Sequence, residues 1–295
     1  HHHIARTSRI GFFERLKKLI AYHDSPVSTI SYYVHSFLSE EISSRGFKVA
    51  ISGTGADELF TGYYDHYGYW IAEMYQEKNN SSVIEDWRNS YGKFVQNPYL
   101  QDPLVFYNNP NERRHIFMDR DYFNSFQNVP FNEDFSEVNY SSNLLRNRML
   151  NELNNEVIPV ILHEDDLNSM MWSVENRSPY LDSNLVKFLY SVPNKFLIQN
   201  GFSKWILREA TKEWTPKTVI WDKQKRGFNA SITSLIDISD SKTKENLLSD
   251  GPIFDLINRK VFEKFLLENM ESNNFSKFLF SFISAKIFLE ISSNN

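Results

Sequence analysis

Cysteine is absent from all 295 residues. That removes disulfides, thiolate metal sites and thiol nucleophiles from this chain, and it agrees with a cytoplasmic setting. Long apolar runs are absent too: the most apolar stretch, residues 278–291, is broken by Ser281, Ser284, Lys286 and Glu290. No run of 18 residues therefore suits a membrane span, and no membrane partner is expected. A basic excess is also missing, since 32 Lys and Arg face 37 Asp and Glu for a net charge of -5. A phosphate backbone would find no general attractive field, so no nucleic-acid partner is expected. A signal-peptide pattern is lacking, and the chain opens on His1, His2 and His3 rather than on Met. Such a start reads as a tag remnant or as the interior of a longer protein, and those three residues are left out of any metal argument.

What is present is globular material. Hydrophobic residues make up 41% and aromatic residues 15%, which excludes a disordered class and supplies a substantial core for one large domain. Phe12, Phe13, Leu16, Leu19 and Ile20 recur at helical spacing, and Asp24, Ser25 and Pro26 should stop that helix. Ile30, Tyr33, Val34, Phe37, Leu38 and Ile42 repeat the pattern up to Gly46, a C-terminal cap. Residues 47–52 (FKVAIS) form a short apolar run between glycines, read as a buried strand. GTGADELF then reads as a glycine turn opening a helix, and helix, strand, glycine loop, helix is the layout of a parallel α/β sheet. Residues 63–155, aromatic and Asn-rich with interrupting prolines, suggest helices joined by irregular loops. Residues 151–172 and 183–190 look helical around a turn at Pro179 and Asp182. The chain from Phe254 reads as helical to its end, with a break at Asn273 and Asn274. No internal repeat is visible.

Five segments raise a question of chemistry. Residues 52–58 (SGTGADE) follow the strand's carboxyl end, where open α/β sheets bind ligands. Gly53 and Gly55 let the backbone approach a ligand, the following amides suit an anion, and Asp57 could hold a Mg²⁺ that bridges phosphate oxygens. An ordinary strand-to-helix turn explains the same residues. Residues 221–228 (WDKQKRGF) place Lys223, Lys225 and Arg226 ahead of a glycine, and a lysine there could neutralise charge on a transferring phosphate; a solvated basic loop is the plainer reading. In residues 173–182 (SVENRSPYLD), Glu175 and Arg177 either pair to orient a loop or lie on the surface. Residues 163–166 (HEDD) combine imidazole with carboxylates, but adjacent helical residues diverge, which is poor geometry for one metal ion. The aromatic run 62–70 (GYYDHYGYW) could stack bases, yet with this net charge it reads as helix packing.

The order of these segments resembles the synthetase domain of the asparagine synthetase (glutamine-hydrolysing) family. SGTGADELFTGYYDHY is similar to the family's SGEGSDExFGGY. DDLNSMMWSVENRSPYLD is similar to a DRxSM element followed by ExRxPFLD. FSKWILREA, Pro216 and KRGF match KxxLRxA and KxGF in order and spacing, and HDSPVSTIS looks like the segment before the family's strand. Together they cover residues 10–232. The resemblance implies an adenine-nucleotide alpha-hydrolase-like parallel sheet, partial here, with extensive helical decoration. It implies one synthetase domain over residues 1–295, incomplete at its start, with residues 63–165 as an insertion.

The implied reaction is that of a ligase: a carboxylate attacks the α-phosphorus of ATP, giving an acyl-adenylate and magnesium pyrophosphate, and ammonia then displaces AMP. The cofactors implied are ATP and Mg²⁺. By the same resemblance Asp57 and Lys225 are the catalytic residues. Ser52, Gly53, Thr54, Gly55, Asp57 and Lys225 bind ATP or pyrophosphate, Asp57 is the metal ligand, and Glu58, Glu175 and Arg177 shape the substrate pocket. The implied partners are a small-molecule carboxylate, aspartate by default, and glutamine-derived ammonia from a glutaminase domain in the complete chain.

Three departures bear on this. The family's SGGxDS loop does not occur, so the chain as given is expected not to turn over. Thr54 stands where the family carries Glu, and Leu167 replaces the Arg of DRxSM. These substitutions motivate a different acceptor, such as a sugar uronate of surface polysaccharide. A non-catalytic binding relative is a rival from another class. A tRNA-modifying enzyme with the same adenylation chemistry is a third, and the acidic total argues against it.

Overall fold

The computed structural model describes residues 1–78, 82–116, 120–131, 136–228, 230–267 and 273–293. Helices dominate. In chain order they are α1 (Phe12–His23), α2 (Ile30–Ser44), α3 (Ala56–Phe60), α4 (Tyr64–Lys78), α5 (Ser82–Asn89), α6 (Val105–Asn108), α7 (Arg120–Phe126) and α8 (Leu144–Asn151). There follow α9 (Ile158–Met170), α10 (Ser183–Ser191), α11 (Trp205–Thr211), α12 (Lys217–Ile220), α13 (Ser241–Leu248), α14 (Ile253–Leu256), α15 (Arg259–Phe265) and α16 (Asn273–Ser293). Two short strands, β1 (Val49–Ile51) and β2 (Glu175–Arg177), pair in parallel with Val49 opposite Glu175 and Ile51 opposite Arg177. A mostly helical chain around a small parallel sheet is compatible with the α/β class. None of the described helices is long and apolar enough to cross a membrane.

Local sequence explains where these elements stop. α1 ends at Asp24, whose φ of 53° leaves the helical region, and α2 runs out two residues before Gly46 at φ 81°. Asp182 caps α10 by accepting from the amides of Asn184 and Leu185, the arrangement that satisfies the orphan N–H groups of a first turn. The expected break at Asn273 and Asn274 falls at the start of α16. A further interruption at Ile257 and Asn258 separates α14 from α15, with Asn258 capping the latter.

Two main cores hold the molecule. In the first, Leu16 and Leu19 of α1 and Tyr33 of α2 pack with Phe262 of α15 and Leu279 and Phe280 of α16. In the second, Tyr67, Tyr69 and Trp70 of α4 pack with Phe106, Leu145, Met149 and Leu197. The aromatic run is thus core, and each such burial contributes about 1.5–3 kcal/mol. A smaller cluster fastens α3 to α10 through Leu59, Phe60 and Leu189.

The strand at residues 47–52 is not buried as expected. Phe47 is 57% exposed and Ile51 76% exposed. The cause is the sheet's size: among the described residues β1 has one partner and cover reaches only the face of Ala50 and Asn176, while the alternating residues Val49 and Ile51 point outward.

Candidate functional site

The glycine loop begins where β1 ends. Ser52 donates its backbone N–H to the Arg177 carbonyl at 2.8 Å, so the sheet fixes the loop's first residue. Gly55 then turns the chain into α3 at φ 92°, and a Cβ there would lie 2.5 Å from Leu181 Cδ2. Both the left-handed backbone and the contact demand glycine. Asp57 and Glu58 consequently sit in the first turn of α3.

Asp57 is clamped between two ammonium groups. Lys204 Nζ pairs with one carboxylate oxygen, and Lys225 Nζ lies 3.4 Å from the other. Lys225 also stands 4.0 Å over the Tyr63 ring, a cation–π contact that fixes its approach. Desolvation pushes the Asp57 carboxyl up, but Lys225 and Lys204 together outweigh it and hold the pKa below the usual range. Gly62 closes over the carboxylate: a Cβ at that position would fall 1.7 Å from Asp57 Oδ1.

Around this clamp opens a cleft of about 480 Å³ lined by Lys204, Arg208, Lys223, Lys225 and Arg226 together with the carboxylates of Asp57 and Asp222. Asp222 is engaged by the Gln224 amide and by Arg226 Nε at 3.0 Å. Arg208 spends its guanidinium on the carbonyls of Ser203 and Ile220, holding the wall. The excess of cations over carboxylates in a concave site favours a multiply charged anion. Lys204 and Arg208, four residues apart, share one face at the start of α11, and Lys204 adopts φ 56°, a left-handed conformation unusual for lysine.

On the other side of the loop, Ser52 Oγ meets Thr54 Oγ1 and Ser178 Oγ, each at 3.1 Å. Thr54 Oγ1 donates to Asp165 Oδ2 at 3.3 Å, and the second Asp165 oxygen lies 3.1 Å from His35 Nδ1. The residues expected at the nucleotide therefore face two ways, Asp57 toward the cationic cleft and Ser52 and Thr54 toward α9. Glu58 is buried at 1% exposure and accepts from the Tyr63 hydroxyl. Burial and then the Glu58 charge raise the Tyr63 pKa, so its hydroxyl stays protonated. Glu175 and Arg177 pair with each other at 2.8 Å on the open face of the sheet, both more than half exposed.

Behind the loop lies a buried charge network. His66 Nε2 is 2.6 Å from Glu152, Asp65 is 3.3 Å from His115, and Arg148 reaches Asp65, Glu137, Glu152 and Glu156. Asp65, His66 and Glu152 lie within reach of one metal ion. Arg148 already occupies the two carboxylates, so the group reads as a charge-compensated core.

The sequence reading did not single out Lys204, Arg208 or His35. For the first two the signal was present: the K and R of the KxxLRxA match are the cleft cations. His35 lies in an unremarkable amphipathic helix, and Asp165 stood out only as part of HEDD and as the first residue of the DDLNSMM segment.

A family model described as asparagine synthase matches residues 1–290. The chain is also similar to "Asparagine synthetase [glutamine-hydrolyzing] 1" of Bacillus subtilis (strain 168), with 20% identity over 264 residues. That match covers 81% of this chain and 39% of the relative, so the chain spans about two fifths of the relative's length.

Proposed function

From the premise that the chain belongs to the asparagine synthase family, we propose that it forms the synthetase part of an ATP-dependent amidating enzyme working through an acyl-adenylate. The observation that carries this reading is the cationic cleft built on Asp57, Lys204 and Lys225 at the carboxyl end of β1. Such a cleft suits the β- and γ-phosphates of ATP, which leave together as pyrophosphate when a carboxylate attacks the α-phosphorus. Lys225 and Lys204 neutralise the charge that gathers on the departing oxygens. Gly53 and Gly55 allow the backbone close to the nucleotide, and Ser52 and Thr54 line its far side.

The donor set fits magnesium only together with phosphate. One available carboxylate, Asp57, stands among several cations, which suits an ion that keeps waters and takes one or two carboxylates plus phosphate oxygens. When bound there, Mg²⁺ supplies further neutralisation of the phosphate charge.

In this reading the fold is an adenine-nucleotide alpha-hydrolase-like synthetase domain with residues 63–165 as an insertion, and ammonia comes from glutamine through a glutaminase domain of the longer protein. Aspartate is the default carboxylate. A different acceptor, such as a sugar uronate, is favoured by one observation: residue 54 offers a hydroxyl, already turned to Asp165. Glu58 and the Glu175–Arg177 pair support the pocket indirectly, one from behind the loop and the other through β2. The test is ATP–pyrophosphate exchange by the full-length protein with a panel of carboxylates. Exchange that depends on one carboxylate names the substrate, and absence of exchange with every one contradicts the proposal.

A further inference from the structure

Asp165 is 6% exposed, and a carboxylate so buried is costly unless donors surround it. Three donors converge on it from three other elements. His35 Nδ1 from α2 lies 3.1 Å from Oδ1. Thr54 Oγ1 from the glycine loop lies 3.3 Å from Oδ2, and Asn176 Nδ2 from β2 lies 3.5 Å from the same oxygen. The side chain of His35 is 31% exposed, so the ring is held at Nδ1 while part of it is open to solvent. A carboxylate against Nδ1 keeps the proton on that nitrogen and leaves Nε2 as a free acceptor. Phe228 stands edge-on to the His35 ring at 4.4 Å, and the Phe228 carbonyl accepts from Ser31 at 3.0 Å.

Two connections tie this group to the cleft. Thr54 and Asp57 share the glycine loop, one turned to each side, and Phe228 and Lys225 share the loop at residues 221–228. The His35–Asp165 group and the cationic cleft therefore flank one glycine loop, which a ligand held in the cleft would have to cross to reach His35.

We infer that His35 and Asp165 form a proton-handling dyad for the second half of the reaction, an inference that rests on the amidation reading above. The nitrogen lone pair of ammonia forms the new C–N bond at the acyl carbon. The bond from that carbon to the adenylate oxygen breaks, and its electron pair leaves with AMP. One proton from the nitrogen passes to His35 Nε2, and Asp165 offsets the charge that the ring acquires. His35 is the catalytic residue of the pair and Asp165 its positioning residue. The carboxylate that residue 54 does not supply is thereby delivered from α9.

The experiment separates the two half-reactions in the full-length protein, with ammonium chloride and the carboxylate that supports exchange, aspartate by default, as probes. In His35→Ala, ATP–pyrophosphate exchange should stay within about threefold of wild type, whereas amide formation should fall about 10²–10⁴-fold, the usual worth of a general base. Added imidazole should restore part of that loss, which a purely structural histidine would not allow. His35→Gln should behave alike without rescue, and Asp165→Asn should cost less and add nothing to His35→Ala. Normal exchange with undiminished amide formation in His35→Ala overturns the dyad alone. Parallel loss of both half-reactions without imidazole rescue overturns it in favour of a structural tie between α2, α9 and the glycine loop. A wild-type protein that exchanges pyrophosphate with no carboxylate of the panel contradicts the parent reading, and this use of the dyad with it.

Discussion

Replacing Asp57 by Asn removes the clamped carboxylate from the cleft and leaves its cations in place. Bare pyrophosphate entering the wild-type cleft must compete with Asp57 for the ammonium groups of Lys204 and Lys225. A charge pair near 4 Å is worth about 4 kcal/mol at an effective dielectric constant of about 20. The Asp57 side chain is 30% exposed, so solvent screening reduces this to about 1–2 kcal/mol. Asp57→Asn should therefore bind metal-free pyrophosphate roughly 5–30-fold more tightly, at about 1.4 kcal/mol per tenfold. With magnesium present the sign should reverse, because a metal-bridged pyrophosphate uses the carboxylate that the variant lacks. Isothermal titration calorimetry on this chain, with and without magnesium chloride and at low and high salt, reads both effects. Affinity for the bare anion should also fall as salt rises. Weaker binding of metal-free pyrophosphate by Asp57→Asn, or binding indifferent to salt, would refute the electrostatic reasoning.

Other perturbations give further tests. Lys225→Ala should weaken pyrophosphate binding about 10–150-fold, from a charge-assisted hydrogen bond worth about 1.5–3 kcal/mol, and in the full-length protein it should abolish ATP–pyrophosphate exchange; an unchanged urea midpoint would show the fold intact. Gly62→Ala must displace the Asp57 carboxylate, since its Cβ would fall 1.7 Å from Oδ1; the pyrophosphate response of this variant should lose its dependence on magnesium while far-UV circular dichroism stays as in wild type. Arg148→Met leaves Asp65, Glu137, Glu152 and Glu156 facing one another, and denaturant unfolding should show a loss of about 3–5 kcal/mol. Burial pushes the His66 pKa down, but Glu152 and Asp65 outweigh it and raise it overall. This contribution to stability should thus be complete below about pH 6.5 and fade as pH rises through the raised value. Glu152→Gln should flatten that part of the stability–pH curve.

Legibility differed from element to element. The helices at Phe12–His23 and Ile30–Ser44 were readable because apolar spacing and terminating residues agree. The strand at Val49–Ile51 was readable as a strand, yet its exposure was not: an apolar run says that a face needs cover, and only Ala50 and Asn176 receive it here. Asp57 and Lys225 were legible as charged residues beside glycines, and the fold brings them within 3.4 Å across 168 positions of sequence. Lys204 was carried by the KxxLRxA match yet not singled out, because a lysine at a helix start looks like solvated surface until its left-handed backbone turns it into the cleft. His35 and Asp165 were hidden for a more general reason. Their partnership is made by packing α2 against α9, across 130 positions, and no local pattern records it.

The most direct measurement of the central claim is the fate of oxygen in a single turnover of the full-length protein. With ATP, ammonium and aspartate labelled with ¹⁸O in its side-chain carboxylate, attack on the α-phosphorus should deliver AMP carrying one ¹⁸O together with unlabelled pyrophosphate. Formation of ADP with label in inorganic phosphate would place the attack on the γ-phosphorus and contradict the account.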